Sequence, residues 1–198
     1  ILYVLFLFGL GLLIFLNDKD TLQEILTINW ISKGNERIVL FTDTFFKYIT
    51  EVGGNIPFIV AGVFLFVKFG YSYFLLLSQL AVTVVVQPIK HILNMPRPKM
   101  FFAEKFPDIV LHQVDGVNMH SMLSFPSGHT QSSVGTFGAM AFTEKKKWLK
   151  CILISIAVLV PFSRMYLGVH TPLDVIFAAA TALILIIVVR PVILEKNG

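Results

Sequence analysis

Three stretches of this chain decide what it can fold into. Tyr71–Leu93 carries no charged side chain before Lys90, while Trp148–Phe162 and Pro172–Val189 carry one each, Lys150 and Asp174. Such runs approach the length of a bilayer's hydrocarbon core. No water is available there to satisfy backbone N–H and C=O groups, so a spanning segment is a helix or a strand of a closed barrel. A barrel strand would alternate apolar and polar residues, and these do not. The rest of the chain agrees. It is 56% hydrophobic and 14% charged, with a mean hydropathy of +0.78. A soluble chain of 198 residues could not hide that much apolar surface. The expected fold is therefore all-α. It is a polytopic membrane protein, with six transmembrane helices in a bundle and short interfacial amphipathic helices, forming one membrane-embedded domain over residues 1–198.

The six expected spans are Ile1–Leu16, Pro57–Phe69, Tyr71–Leu93, Ser127–Phe142, Trp148–Phe162 and Pro172–Val189. The first opens without a methionine, which reads as a natural N-terminus that is missing. Asp18–Ile31, with Trp30 as an anchor, and Ile38–Ile49 are amphipathic pieces broken at Gly34-Asn35 and Gly53-Gly54. The fourth span is rich in Ser, Gly and Ala from Ser132 to Ala141, which lets backbones approach closely. Asn94–Pro126 reads as a long polar loop, with His112 and His120 as solvated loop residues. Cys151 is the one cysteine, so no intramolecular disulfide can form.

The formal net charge is +4. The short turns at Lys68, Lys145–Lys150 and Arg190–Lys196 share one side of a six-span plan and are rich in lysine, which marks that side as cytoplasmic. The charge is thus read as setting topology, with no nucleic-acid partner. The bilayer is the expected partner, and the protein is placed in the cell membrane as a multi-pass chain.

Three polar clusters fall on the opposite, non-cytoplasmic side. The first is Lys90-His-Ile-Leu-Asn-Met-Pro-Arg97-Pro98. Pro96 and Pro98 interrupt the helix, so Arg97 is expected on extended chain turning back over Lys90. Taken alone, the two cations also fit a snorkelling pair at the interface. The second is Pro126-Ser127-Gly128-His129, a capped helix start whose first N–H groups suit an anion. The third runs from Ser163-Arg164 to His170-Thr-Pro-Leu-Asp174. Thr171 is a good N-cap and Pro172 suits the first helical turn. Asp174 would then face back to His170, accept its Nδ1 proton and leave Nε2 free. Three cations, a helix start and two histidines suit phosphoryl transfer without a metal, the cations holding the equatorial oxygens. One histidine attacks phosphorus and the other protonates the leaving oxygen, and the Asp174 pairing favours His170 as the attacker. No metal site and no cofactor are expected.

In order and spacing these clusters resemble the three-part signature of the type-2 phosphatidic acid phosphatase superfamily. It includes membrane lipid phosphatases, glucose-6-phosphatases and soluble vanadium haloperoxidases. The resemblance covers Lys90 to Asp174. It implies His170 as the nucleophile that becomes phosphohistidine, Asp174 as its orienting carboxylate and His129 as general acid and then base. It implies that Lys90, Arg97, Arg164, Ser127 and the Gly128 N–H bind the phosphoryl group. The implied substrate is a lipid phosphate in the outer leaflet: undecaprenyl pyrophosphate, phosphatidylglycerol phosphate or phosphatidate. The competing class is a transporter or flippase for a phosphorylated lipid, with the cations as a binding site only.

Overall fold

The computed structural model describes residues 36–105, 107–108, 112–117 and 122–194. The expected span Ile1–Leu16, the stretch around Trp30, His120 and Lys196 lie outside them. Among the described residues there is no strand. The elements are α1 (Glu36–Val52), α2 (Ile56–Val67), α3 (Phe69–Leu93), α4 (Pro98–Lys105), α5 (Gly128–Ser133), a π-helical stretch (Val134–Gly138), α6 (Ala139–Thr143), α7 (Lys147–Tyr166) and α8 (Pro172–Leu194).

By length and composition, the stretch Phe69–Lys105, which contains α3, and the helix α7 can each cross a membrane. The α1–α2 pair qualifies only if its two helices, bent by 43°, form one span. α8 holds a shorter apolar run, Pro172–Val188. This is two or three spans among the described residues, fewer than the sequence reading expects there. The reason is local. α2 has 12 residues, about 18 Å of helix, well short of a bilayer on its own. Gly53 and Gly54 end α1 with turn bonds back to Thr50 and Glu51, and Pro57 opens α2. The Ile38–Ile49 piece is therefore continuous with the second span through a bend. The expected Asn94–Pro126 loop also differs: Pro98 starts the helix α4 at the position where its missing N–H costs nothing.

α3 packs against α8 and α2, and α7 packs against α1 and the α5–α6 segment. One core cluster joins Ala61, Phe74, Leu75, Ala139 and Ile186, and a second joins Val82, Val86, Val134 and Ala182. The outside is apolar instead of polar. Phe66, Phe69 and Ile92 are among many large exposed hydrophobic side chains, as lipid-facing helices require. Several polar groups are turned inward and hydrogen-bonded between helices. Gln79 Nε2 of α3 donates to the Ser132 carbonyl, at 2.6 Å, and to Thr136 Oγ1. A Cβ on Gly135 would lie 3.2 Å from that amide, so a small residue is what lets α3 approach.

Candidate active site

α7 ends at Tyr166, and Gly168 takes a left-handed φ of 66°, a conformation that suits glycine. The backbone N–H groups of Val169 and His170 both donate to the Arg164 carbonyl, at 3.2 and 3.3 Å. The turn thus folds over the arginine and delivers His170 beside it. α8 then begins with a reciprocal cap: Asp174 N donates to Thr171 Oγ1 (3.3 Å), and Thr171 N donates to Asp174 Oδ2 (2.8 Å). His170 Nδ1 lies 3.3 Å from the same Oδ2. Ser124 Oγ donates to it as well, at 2.6 Å.

His170 is 3% exposed. Burial is the main cause that holds its imidazole well below the usual histidine range; Asp174 pulls the other way, and the charges of Arg164 and Arg97 reinforce the burial. At neutral pH the ring is neutral. With Nδ1 facing the carboxylate, Nε2 keeps its lone pair.

The other two clusters are stitched to this one. Ser127 N donates to the Asp174 carbonyl at 3.1 Å. Ser127 Oγ caps α5, accepting from Thr130 N and Thr130 Oγ1. Gly128, next along, has open space where a Cβ would stand, and the first N–H groups of the helix point outward there. Lys90 Nζ donates to the Pro126 carbonyl at 3.1 Å, and Ser124 N to the Met95 carbonyl at 2.9 Å. Arg97, nearly buried, sits just ahead of α4 with its Nε on the Met122 carbonyl. Asn94 turns the chain there with a φ of 40°. Lys90, Arg97 and Arg164 lie close enough to act on one another's charge, and all three act on His129.

All eight residues expected to form the site are thus brought together. The structure adds a wall that sequence reasoning did not assign. Arg164 donates through Nη1 to Thr50 Oγ1 at 2.8 Å, while its buried Nε has no hydrogen-bond partner among the described residues. A Cβ on Gly54 would lie 3.6 Å from His129 Nε2, and one on Gly53 would lie 3.0 Å from the His129 carbonyl. The α1–α2 turn therefore closes the site, and its only advance signal was the Gly-Gly pair. Ser124, two residues ahead of the second polar cluster, had been given no role.

His112 is not the solvated loop residue expected. Its Nε2 lies 2.9 Å from both carboxylate oxygens of Asp43, which also accepts from Tyr166 Oη at 2.7 Å. With Lys47 Nζ on the Asp115 carbonyl, this pins residues 112–117 to α1. His91 is exposed on α3. No group of three or more His, Cys, Asp or Glu side chains able to hold a metal occurs among the described residues.

The model of the PAP2 superfamily matches residues 70–197, which contain every one of the eight. The chain belongs to the PAP2 superfamily. Within it, an undecaprenyl-diphosphatase of Sulfolobus acidocaldarius is 47% identical over 53 residues, 27% of this chain and 25% of that protein. Phosphatidylglycerophosphatase B of Bacillus subtilis is 35% identical over 79 residues, 35% of this chain and 39% of that one. The matched stretches thus span a quarter to two fifths of these curated relatives. Among solved structures, Aquifex aeolicus LpxE is similar with a TM-score of 0.67 at 28% identity, over 84% of this chain and 93% of that one. The transmembrane PAP2-type phosphatidylglycerolphosphate phosphatase of Bacillus subtilis reaches a TM-score of 0.71 over 98% of this chain and 94% of that one. At 22% identity, that likeness is one of fold.

Proposed function

We propose that the chain is a membrane-integral lipid phosphatase that hydrolyses a phosphomonoester or pyrophosphate headgroup through a phosphohistidine on His170. The observation that carries this reading is the Asp174 carboxylate held 3.3 Å from His170 Nδ1, with Arg164 folded against the same turn. Lys90, Arg97, Arg164, Ser127 and the Gly128 N–H hold the non-bridging oxygens. Nε2 attacks phosphorus as the bond to the lipid oxygen breaks, and His129 gives that oxygen its proton. His129 then takes a proton from water, whose oxygen attacks phosphorus. The P–N bond breaks, phosphate leaves, and both histidines return to their starting states. The three cations supply the positive charge, so the reaction needs no metal.

The names of the relatives point to undecaprenyl pyrophosphate and phosphatidylglycerol phosphate as substrates, with phosphatidate beside them. The proposed topology is six spans in one domain, with the site opening on the non-cytoplasmic face. The lysines of the Lys145–Lys150 turn support that orientation, because the 20 residues of α7, about 30 Å of helix, run from that turn to Arg164 and Tyr166. The transporter alternative gains no support: among the described residues, the cations of the three motifs gather at one site.

The test is phosphate release by purified, detergent-solubilised protein from a panel of lipid phosphates in excess EDTA. Release from at least one lipid, with an acid-labile phosphoenzyme that disappears in His170→Ala, is the expected result. A fully inactive panel would overturn the phosphatase reading, and activity restored only by Mg²⁺ would overturn its metal independence. For topology, single cysteines in the Asn94–Phe125 loop and the Lys145–Lys147 turn, with Cys151 replaced, are exposed to an impermeant thiol reagent on intact cells. The loop should label and the turn should not; the reverse pattern would invert the proposed face.

A further inference from the structure

A general acid must carry its proton when the leaving oxygen departs, and cations surround His129. The charged groups that act on it are Lys90 of α3, Arg97 ahead of α4, Arg164 of α7 and His170 of the following turn. Every one is a cation or can become one. Asp174, the carboxylate of the third motif, is occupied by Ser124, Thr171 and His170. A second carboxylate, that of Glu51, comes near from the α1–α2 turn. Glu51 Oε2 lies 4.0 Å, and His129 Nε2 3.6 Å, from one point: the place where a Cβ on Gly54 would stand. Gly54, with no Cβ, leaves that point unfilled. The same carboxylate is close enough to act on the charge of Arg164. Glu51 is exposed at the end of α1, outside residues 70–197 that the family model matches.

We propose that Glu51 is a positioning residue for His129, its carboxylate facing the imidazolium across the Gly54 gap and keeping that ring protonated until the lipid oxygen leaves. The proposal rests on the phosphatase reading and assigns it one further part. The proton passes from His129 Nε2 to the lipid oxygen, and Nε2 regains one from the attacking water, so the cycle closes without any net change at Glu51.

Leaving-group chemistry separates this role from a structural one. An alkyl oxygen needs a proton as it departs, whereas p-nitrophenolate leaves without one, and kcat/KM reports the steps up to that departure. The probes are dioctanoyl phosphatidate in detergent micelles and p-nitrophenyl phosphate. Glu51→Gln should lower kcat/KM for the alkyl ester about tenfold or more and leave the aryl ester within about twofold. Glu51→Asp, which keeps the charge, should recover most of the alkyl activity. Thr50→Val, which removes the Arg164 contact, should lower both esters alike. Equal losses for both esters in Glu51→Gln, or no loss for either, would overturn the proposal. Wild-type protein inert towards both would instead overturn the phosphatase reading and this inference with it.

Discussion

Ser124 Oγ and His170 Nδ1 meet at a single oxygen, Oδ2 of Asp174, at 2.6 and 3.3 Å. The backbone N–H of Thr171 adds a third contact at 2.8 Å. The carboxylate is therefore fixed from two different segments. One is the turn that carries the histidine; the other is the approach to α5. A hydrogen bond to a charged group contributes roughly 1.5–3 kcal/mol. Part of that fixes the imidazole, and Ser124→Ala should lower kcat about tenfold with little change in KM. Steady-state kinetics on protein with an unchanged elution profile checks this. An unaltered kcat would mean that the Thr171 contact holds the carboxylate unaided.

Gly53→Ala should damage both stability and turnover. A Cβ there would run into Val160 Cγ1 and come within 3.0 Å of the His129 carbonyl. Neither neighbour is the free end of a flexible side chain. Overpacking of this kind costs about 1–3 kcal/mol. The expected result is a lower Tm in detergent together with reduced kcat, since the displaced backbone carries His129. A variant as stable and active as wild type would show that the two elements can slide apart.

The ionisation of His170 gives a pH prediction. Burial, helped by Arg164 and Arg97, holds its folded pKa below the ordinary value of about 6.5. Below that pH the unfolded chain binds the proton and the native state does not. The group's contribution to stability is thus present above about pH 6.5 and is lost as pH falls towards the folded value. Histidine-selective ¹⁵N resonances should show a neutral ring persisting at pH 6, and His170→Asn should flatten the acid side of the Tm profile. A resonance titrating at or above the ordinary histidine range would contradict the neutral-nucleophile state.

Orthovanadate should inhibit competitively, because its five-coordinate form matches the in-line geometry that the cations are arranged to hold. Arg164 donates through Nη1 to Thr50, and its buried Nε has no hydrogen-bond partner among the described residues. Arg164→Lys replaces a fork with a point charge. It should raise the vanadate inhibition constant and lower kcat/KM together, each by about tenfold or more. Dose series at several substrate concentrations distinguish this from non-competitive loss.

The local geometry of this site was legible in the sequence because it is short-range. Thr171 to Asp174 is one helical turn, so the cap and the His170 contact follow from spacing alone. Pro126-Ser127-Gly128 announces a helix start by itself. The membrane-helix class followed from apolar runs that no soluble fold could bury. What only the tertiary structure decided were contacts between distant segments whose residue types carry no signal by themselves. Thr50 meets Arg164, Gly54 lies against His129, and Ser124 meets Asp174, because α1 packs on α7 and the loop before α5 folds over the start of α8. A threonine at a helix end or a serine ahead of a proline fits many surroundings. Its partner is set by packing, which is a property of the assembled helices and not of any window of sequence.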